Sequence, residues 1–86
     1  MSEESLLVFP CEFPIKVMGE NTADFEAEVI VIANQHVSLK EGAVRTASSR
    51  TGKYLSVTMT FTAESREQLD NLYRAMNAHP AVKMVL

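Results

Sequence analysis

The chain has 86 residues, 47% of them hydrophobic and 22% charged, and carries a net charge of −3. That length holds one domain with a modest core, burying roughly 60–65% of the surface that the unfolded chain exposes. The acidic balance excludes the concentrated basic surface that a nucleic-acid partner needs, and no apolar run approaches the ~18 residues required to span a bilayer.

The start, Met1-Ser2-Glu3-Glu4-Ser5, is acidic where a secretory signal would be basic, and Leu6 to Phe9 is too short for its apolar segment. A cytoplasmic location is therefore expected. The single cysteine, Cys11, cannot close an internal disulfide, which agrees with a reducing compartment. Residues 1–8 read as a flexible lead and residues 9–86 as a single domain.

Phe9-Pro10 and Phe13-Pro14 bracket Cys11 and Glu12, and proline confines such segments to extended or edge positions. Ile15 to Met18 then reads as a short strand ended by Gly19, with Ile15 and Val17 inward and Lys16 and Met18 outward. Asn21 and Thr22 are good N-cap residues, and Asp24 brings negative charge to the free N–H groups of a helix start. The spacing of Phe25, Val29, Ile32, Ala33 and His36 predicts a helix of ~14 residues, although Val29 to Ile32 is a β-branched run that would also suit a buried strand. Length and the capped start favour helix.

Val37 to Gly42 reads as a loop and Ala43 to Ser48 as an edge strand, with Val44 and Thr46 inward if Arg45 faces solvent. Ser49 to Gly52 supplies turn chemistry for a hairpin. Tyr54 to Thr62 alternates large apolar with small polar residues, so Leu55, Val57, Met59 and Phe61 share one face, and Tyr54, Ser56, Thr58, Thr60 and Thr62 the other. Ser65 and Gln68 have capping-box spacing, and Leu69, Leu72, Tyr73 and Met76 follow at helical intervals. Asn77 to Pro80 stops that helix. In the closing strand Val82, Met84 and Leu86 are expected inward, with Lys83 and Val85 outward.

The order strand, helix, strand, strand, helix, strand predicts an α+β, ferredoxin-like βαββαβ sandwich: a four-stranded antiparallel sheet with both helices on one face. The residues Phe13-Pro14-Ile15-Lys16-Val17-Met18-Gly19, Gly52-Lys53-Tyr54-Leu55-Ser56-Val57, Leu72-Tyr73 and Lys83-Met84-Val85-Leu86 give the chain a resemblance, from Phe9 to Leu86, to the YbeD family of small bacterial proteins. That resemblance implies a fold similar to the ACT-type regulatory domains that bind small ligands. It brings no catalytic residues, and it hints by association at lipoate metabolism.

Chemistry-bearing residues are sparse. The open sheet face, with Lys16, Met18, Tyr54, Ser56, Thr58, Thr60, Lys83 and Val85, is the candidate surface for a protein partner or a second copy. A Ser/Thr row is also how an ordinary solvated face looks. The exposed edges near Arg45 and Lys83 are a further route to association. Sheets that read RNA display two or three stacking aromatics among basic residues, and here Tyr54 stands alone.

Gly19, Glu20 and Asn21 form a candidate ligand loop, because N–H groups at a helix start can bind an anion. Glu20 and Asp24 oppose that, and the acidic loop lacks the arginine and phosphate cradle of an acylphosphatase. His36 and His79 fall at helix ends and, with Cys11, share no metal-ligand spacing, so neither metal nor other cofactor is expected. Glu12 beside Cys11 disfavours a reactive thiolate. Tyr73 and Met76 read as core, and Glu64, Arg66, Glu67, Asp70 and Arg74 as the solvated side of their helix. With no nucleophile, base and orienter in one constellation, the chain reads as a non-enzymatic regulatory or protein-interaction module, the alternative being a small-ligand sensor.

Overall fold

The computed structural model describes residues 8–86, so the expected lead lies outside the described residues except for Val8. The elements run β1 (Cys11–Glu20), α1 (Phe25–Asn34), β2 (Val44–Ser48), β3 (Tyr54–Ala63), α2 (Arg66–Asn77) and β4 (Val82–Val85). All pairings are antiparallel and the sheet order is β2-β3-β1-β4, the ferredoxin-like arrangement.

β1 is longer than the four residues expected from Ile15 to Met18, and the placement of Pro14 explains how. Lys16 and Leu86 exchange backbone hydrogen bonds, so the even-numbered residues of β1 point their backbone groups toward β4. β4 pairs with β1 from Val17 to Gly19 only, and Pro14 therefore turns its missing N–H to a side where, among the described residues, no strand lies. On the other side β1 stays in register with β3 along its whole length, from Cys11 opposite Ala63 to Glu20 opposite Tyr54.

Gly19 does not end the strand. It is buried within it, and a methyl built there would meet Phe25 Cζ at 2.5 Å and the Ala81 carbonyl oxygen closer still. A side chain is excluded so that the Phe25 ring can lie on the sheet.

α1 begins at Phe25, later than Asn21 or Thr22 would place it. Asn21 is held elsewhere: its backbone N–H donates to the Lys53 carbonyl at 3.1 Å and its Nδ2 to the Gly52 carbonyl at 2.9 Å. The N-cap position falls to Asp24, whose side chain makes no capping bond. Phe25, Val29 and Ala33 are buried as the stripe requires, while His36 lies past the helix in the following turn. α2 starts as expected, with Ser65 Oγ accepting from the Gln68 N–H at 3.1 Å. The Gln68 side chain also accepts from the Glu64 N–H at 2.7 Å and donates to the His36 carbonyl at 2.9 Å, tying α2 to the end of α1.

Ile15, Val17, Val57, Met59, Phe61 and Ala63 from the sheet meet Phe25, Val29, Leu69, Leu72 and Met76 from the helices in one core. No polar or charged residue among those described is buried. Each large side chain so enclosed contributes on the order of 1.5–3 kcal/mol of transfer free energy, before entropy is set against it.

The face expected for β4 is corrected by a bulge. The register with β1 shifts between Met18 and Gly19: Met84 stands opposite Met18, and Val82 opposite Gly19. The extra residue lets Val82 and Val85, three positions apart, both pack against the core. Val85 is thus removed from the open face, and Met84 and Leu86 are not inward. They are 48% and 61% exposed on the uncovered side.

Candidate functional site

The face of the sheet left uncovered among the described residues is built by strand alternation. Because Lys16 pairs with Thr58 and Met18 with Ser56, the even-numbered residues of β1 and β3 lie together on the side away from the helices. β2 adds Arg45 opposite Thr58 and Ala47 opposite Ser56. Ala47, Ser56, Met18 and Met84 consequently form one continuous row across all four strands. The neighbouring row is Arg45, Thr58, Lys16 and Leu86. The structure brings together Lys16, Met18, Tyr54, Ser56 and Thr58, replaces Val85 by Met84 and Leu86, and places Lys83 at the rim.

Size alternation within the first row leaves a hollow. Ala47 and Ser56 are small, and Met18 and Tyr54 rise beside them to frame a depression of about 90 Å3. Tyr54 is fixed at its border: its N–H donates to Ser49 Oγ at 3.0 Å, and Lys53 Nζ stands 5.8 Å from its ring centroid. The face therefore offers an apolar strip, a hydroxyl row and a small cup.

The loop residues Gly19, Glu20 and Asn21 have other work. Gly19 lies under Phe25, Asn21 holds the β2–β3 hairpin, and the Glu20 carboxylate pairs with Lys83 Nζ at 3.3 Å. None of the three lines the cup beside Tyr54 or the larger cleft where β2 ends. The first turn of α1 adds Glu26 and Glu28 beside Asp24, so the field at that helix start opposes an anion.

A larger cleft, about 790 Å3, opens at the opposite end of the sheet where β2 stops short of β3. Its walls include Glu12, His36, Glu41, Thr62 and Glu64, with Lys40 as the one lysine or arginine. Sequence reading missed it, because its residues come from β1, the turn and loop after α1, the end of β3 and α2, and only the truncation of β2 joins them.

His79 does not cap a helix carbonyl with its ring. Its Nδ1 accepts from the Ala81 N–H at 3.0 Å and its Nε2 lies 2.7 Å from Glu28 Oε1, so Nε2 carries the proton and donates it to that carboxylate. With both ring nitrogens engaged, His79 clamps the β4 entry to α1 and has no lone pair to offer a substrate. Among the described residues no group of three His, Cys, Asp or Glu side chains could hold a metal ion, and no helix is long and apolar enough to cross a membrane.

Similar proteins agree with this architecture. The chain is 45% identical to UPF0250 protein NE1487 of Nitrosomonas europaea over the whole of both chains. It is 49% identical to a UPF0250 protein of Janthinobacterium sp., over 96% of this chain and 92% of that one. In structure it is similar to protein HP0495 of Helicobacter pylori, with a TM-score of 0.69 at 14% identity, covering 93% of this chain and 85% of that one. The ACT domain from GTP pyrophosphokinase of Chlorobium tepidum is also similar, with a TM-score of 0.69 at 10% identity, covering 87% of this chain and 84% of that domain. A family model described as "Protein of unknown function (DUF493)" matches residues 4–86, and the chain accordingly belongs to the DUF493/UPF0250 family.

Proposed function

We propose that the chain is a non-enzymatic regulatory module of the cytoplasm that docks a partner protein on its open sheet face. The observation behind this reading is the contrast between the two sides of the sheet. One side is covered by the helices, whereas the other displays Met18, Met84 and Leu86 beside Tyr54 and the Ser56 to Thr60 hydroxyl row. Apolar side chains set among groups able to form hydrogen bonds are what the centre of a protein contact needs, and the 90 Å3 cup would seat one aliphatic side chain. The likeness to an ACT domain is one of fold and is compatible with a regulatory role. An enzyme of lipoate metabolism is one partner that the family resemblance suggests.

Affinity capture from a native lysate tests the reading, with the parent run beside Tyr54→Asp and Thr58→Asp. Both positions lie on the open face, so both variants fold, and both should lose the captured partner. A partner retained by both, or none captured by the parent, would overturn the reading. Binding at Gly19, Glu20 and Asn21 is the separate ligand-sensor reading, which has the geometry described above against it. A thermal shift on adding amino acids, lipoate or nucleotides that is lost in Asn21→Ala would revive it.

A further inference from the structure

The charges of the chain are sorted between its two sides. α1 carries Glu26 and Glu28, follows Asp24 and has no lysine or arginine, while α2 balances Arg66 and Arg74 against Glu67 and Asp70. The helical layer is therefore acidic. The open face is the reverse: Arg45 and Lys16 stand in one row on either side of Thr58, both exposed, and Lys53 lies beside Tyr54 at the border of the cup.

The carboxylates of that face do not cancel these cations. Glu20 is paired with Lys83, and Glu12 sits opposite Thr62, about 13 Å along β1 from Lys16 and beyond the Debye length of about 8 Å at physiological salt. Among the described residues neither Lys16 nor Arg45 pairs with a carboxylate. A chain of net charge −3 thus turns a positive field to the side where Met84 and Leu86 are exposed.

Resting on the docking role proposed for this face, we infer that the partner presents an acidic amphipathic helix: an aliphatic side chain of it fills the cup, and Asp or Glu side chains one turn away meet Lys16 and Arg45.

Three features select that occupant. A sheet face offers side chains alone, because the main-chain groups of β1 and β3 are directed at neighbouring strands. An extended segment laid on it would leave its own N–H and C=O groups without partners on the buried side, whereas a helix satisfies them internally.

Spacing is the second. Along a strand, residues on one face recur about every 6.7 Å, so the row of Arg45, Thr58 and Lys16 lies that far from the row holding the cup. Residues four apart on a helix are separated by about 6 Å, a close match. Arg45 and Lys16 stand two strand spacings apart, about 10 Å, which is the width of a helix with its side chains. A helix lying along β3, over Ser56, Thr58 and Thr60, has a cation on each flank, and the aliphatic stems of Arg45 and Lys16 lie along its sides.

Polarity is the third. Met18, Met84 and Leu86 extend the apolar floor beside the cup, and Tyr54 is the one aromatic ring there, so the face suits an aliphatic stripe rather than a string of stacked bases.

A displayed library of helices, with one face fixed as leucine and the other positions free to be Glu, Gln or Lys, tests this when selected on the full chain. The enriched sequences should carry Glu one turn from a leucine and bind more weakly as salt rises. Lys16→Glu combined with Arg45→Glu should weaken them about tenfold. Arg66→Glu combined with Arg74→Glu makes the same change in net charge on the helical side and should leave them bound as by the parent. All four positions are exposed, so both variants should keep the parent's circular dichroism. Enrichment of Gln- or Lys-bearing helices, enrichment of none, or acidic helices held equally after the Lys16 and Arg45 changes would overturn the inference. A single-stranded oligonucleotide bound more tightly than the acidic helices, or self-association of the parent that Tyr54→Asp abolishes, would overturn it too. The docking role itself fails by a different result, a native partner retained by both Tyr54→Asp and Thr58→Asp.

Discussion

Gly19 shows how one residue sets the spacing between the two layers. With no Cβ, it lets the Phe25 ring and the Ala81 carbonyl both close onto β1, and any side chain must displace one of them. Gly19→Ala should cost about 1–3 kcal/mol through overpacking, read as a fall of several degrees in Tm. Tyr73 makes a second residue-level prediction. Partial burial raises its phenol above the ordinary tyrosine value of 10.0 by desolvation, so the folded state holds that proton at a pH where the unfolded chain has released it. Stability from this source is complete below pH 10.0 and declines as pH rises from there through the raised folded value, because the unfolded state then binds fewer protons. Thermal melts at pH 9 and pH 11 should show the parent losing more stability between them than Tyr73→Phe does.

At the scale of elements, β4 turns on its bulge, which decides which residues the core receives. Val85→Asp should destabilise by on the order of 2 kcal/mol, since it sets a carboxylate against the core, whereas Met84→Asp should stay within about 0.5 kcal/mol of the parent. Chemical denaturation of the two variants separates the observed register from the unbulged one, in which the costs would be reversed. Alternation in β3 and the Ser65 cap of α2 were legible in the sequence because each is a local rule with strong side-chain contrast. The start of α1 was not, because Asn21, a good cap by type, bonds to a hairpin more than thirty residues away. The face of β4 was not legible either: Val82, Met84 and Leu86 alternate well, and only pairing with β1 shows the extra residue.

At the scale of the whole molecule, the order of elements was enough to give the fold, since a βαββαβ chain with short links and amphipathic helices has few ways to close. The open face was equally predictable once both crossovers lay on one side. The hollow beside Tyr54 and the cleft at the end of β2 were not, because each depends on where strands of unequal length stop. A two-layer molecule with one bare side divides its methionines sharply: Met59 and Met76 are fully enclosed, Met84 is 48% exposed on the open face, and Met18 beside it is partly so. The most direct measurement is peroxide oxidation of the native chain, read by peptide mass spectrometry as sulfoxide formed at each site. The account predicts rapid oxidation at Met84, slower at Met18, and protection of Met59 and Met76 until the chain is unfolded. Oxidation of Met59 at the rate of Met84 in the native chain would contradict it.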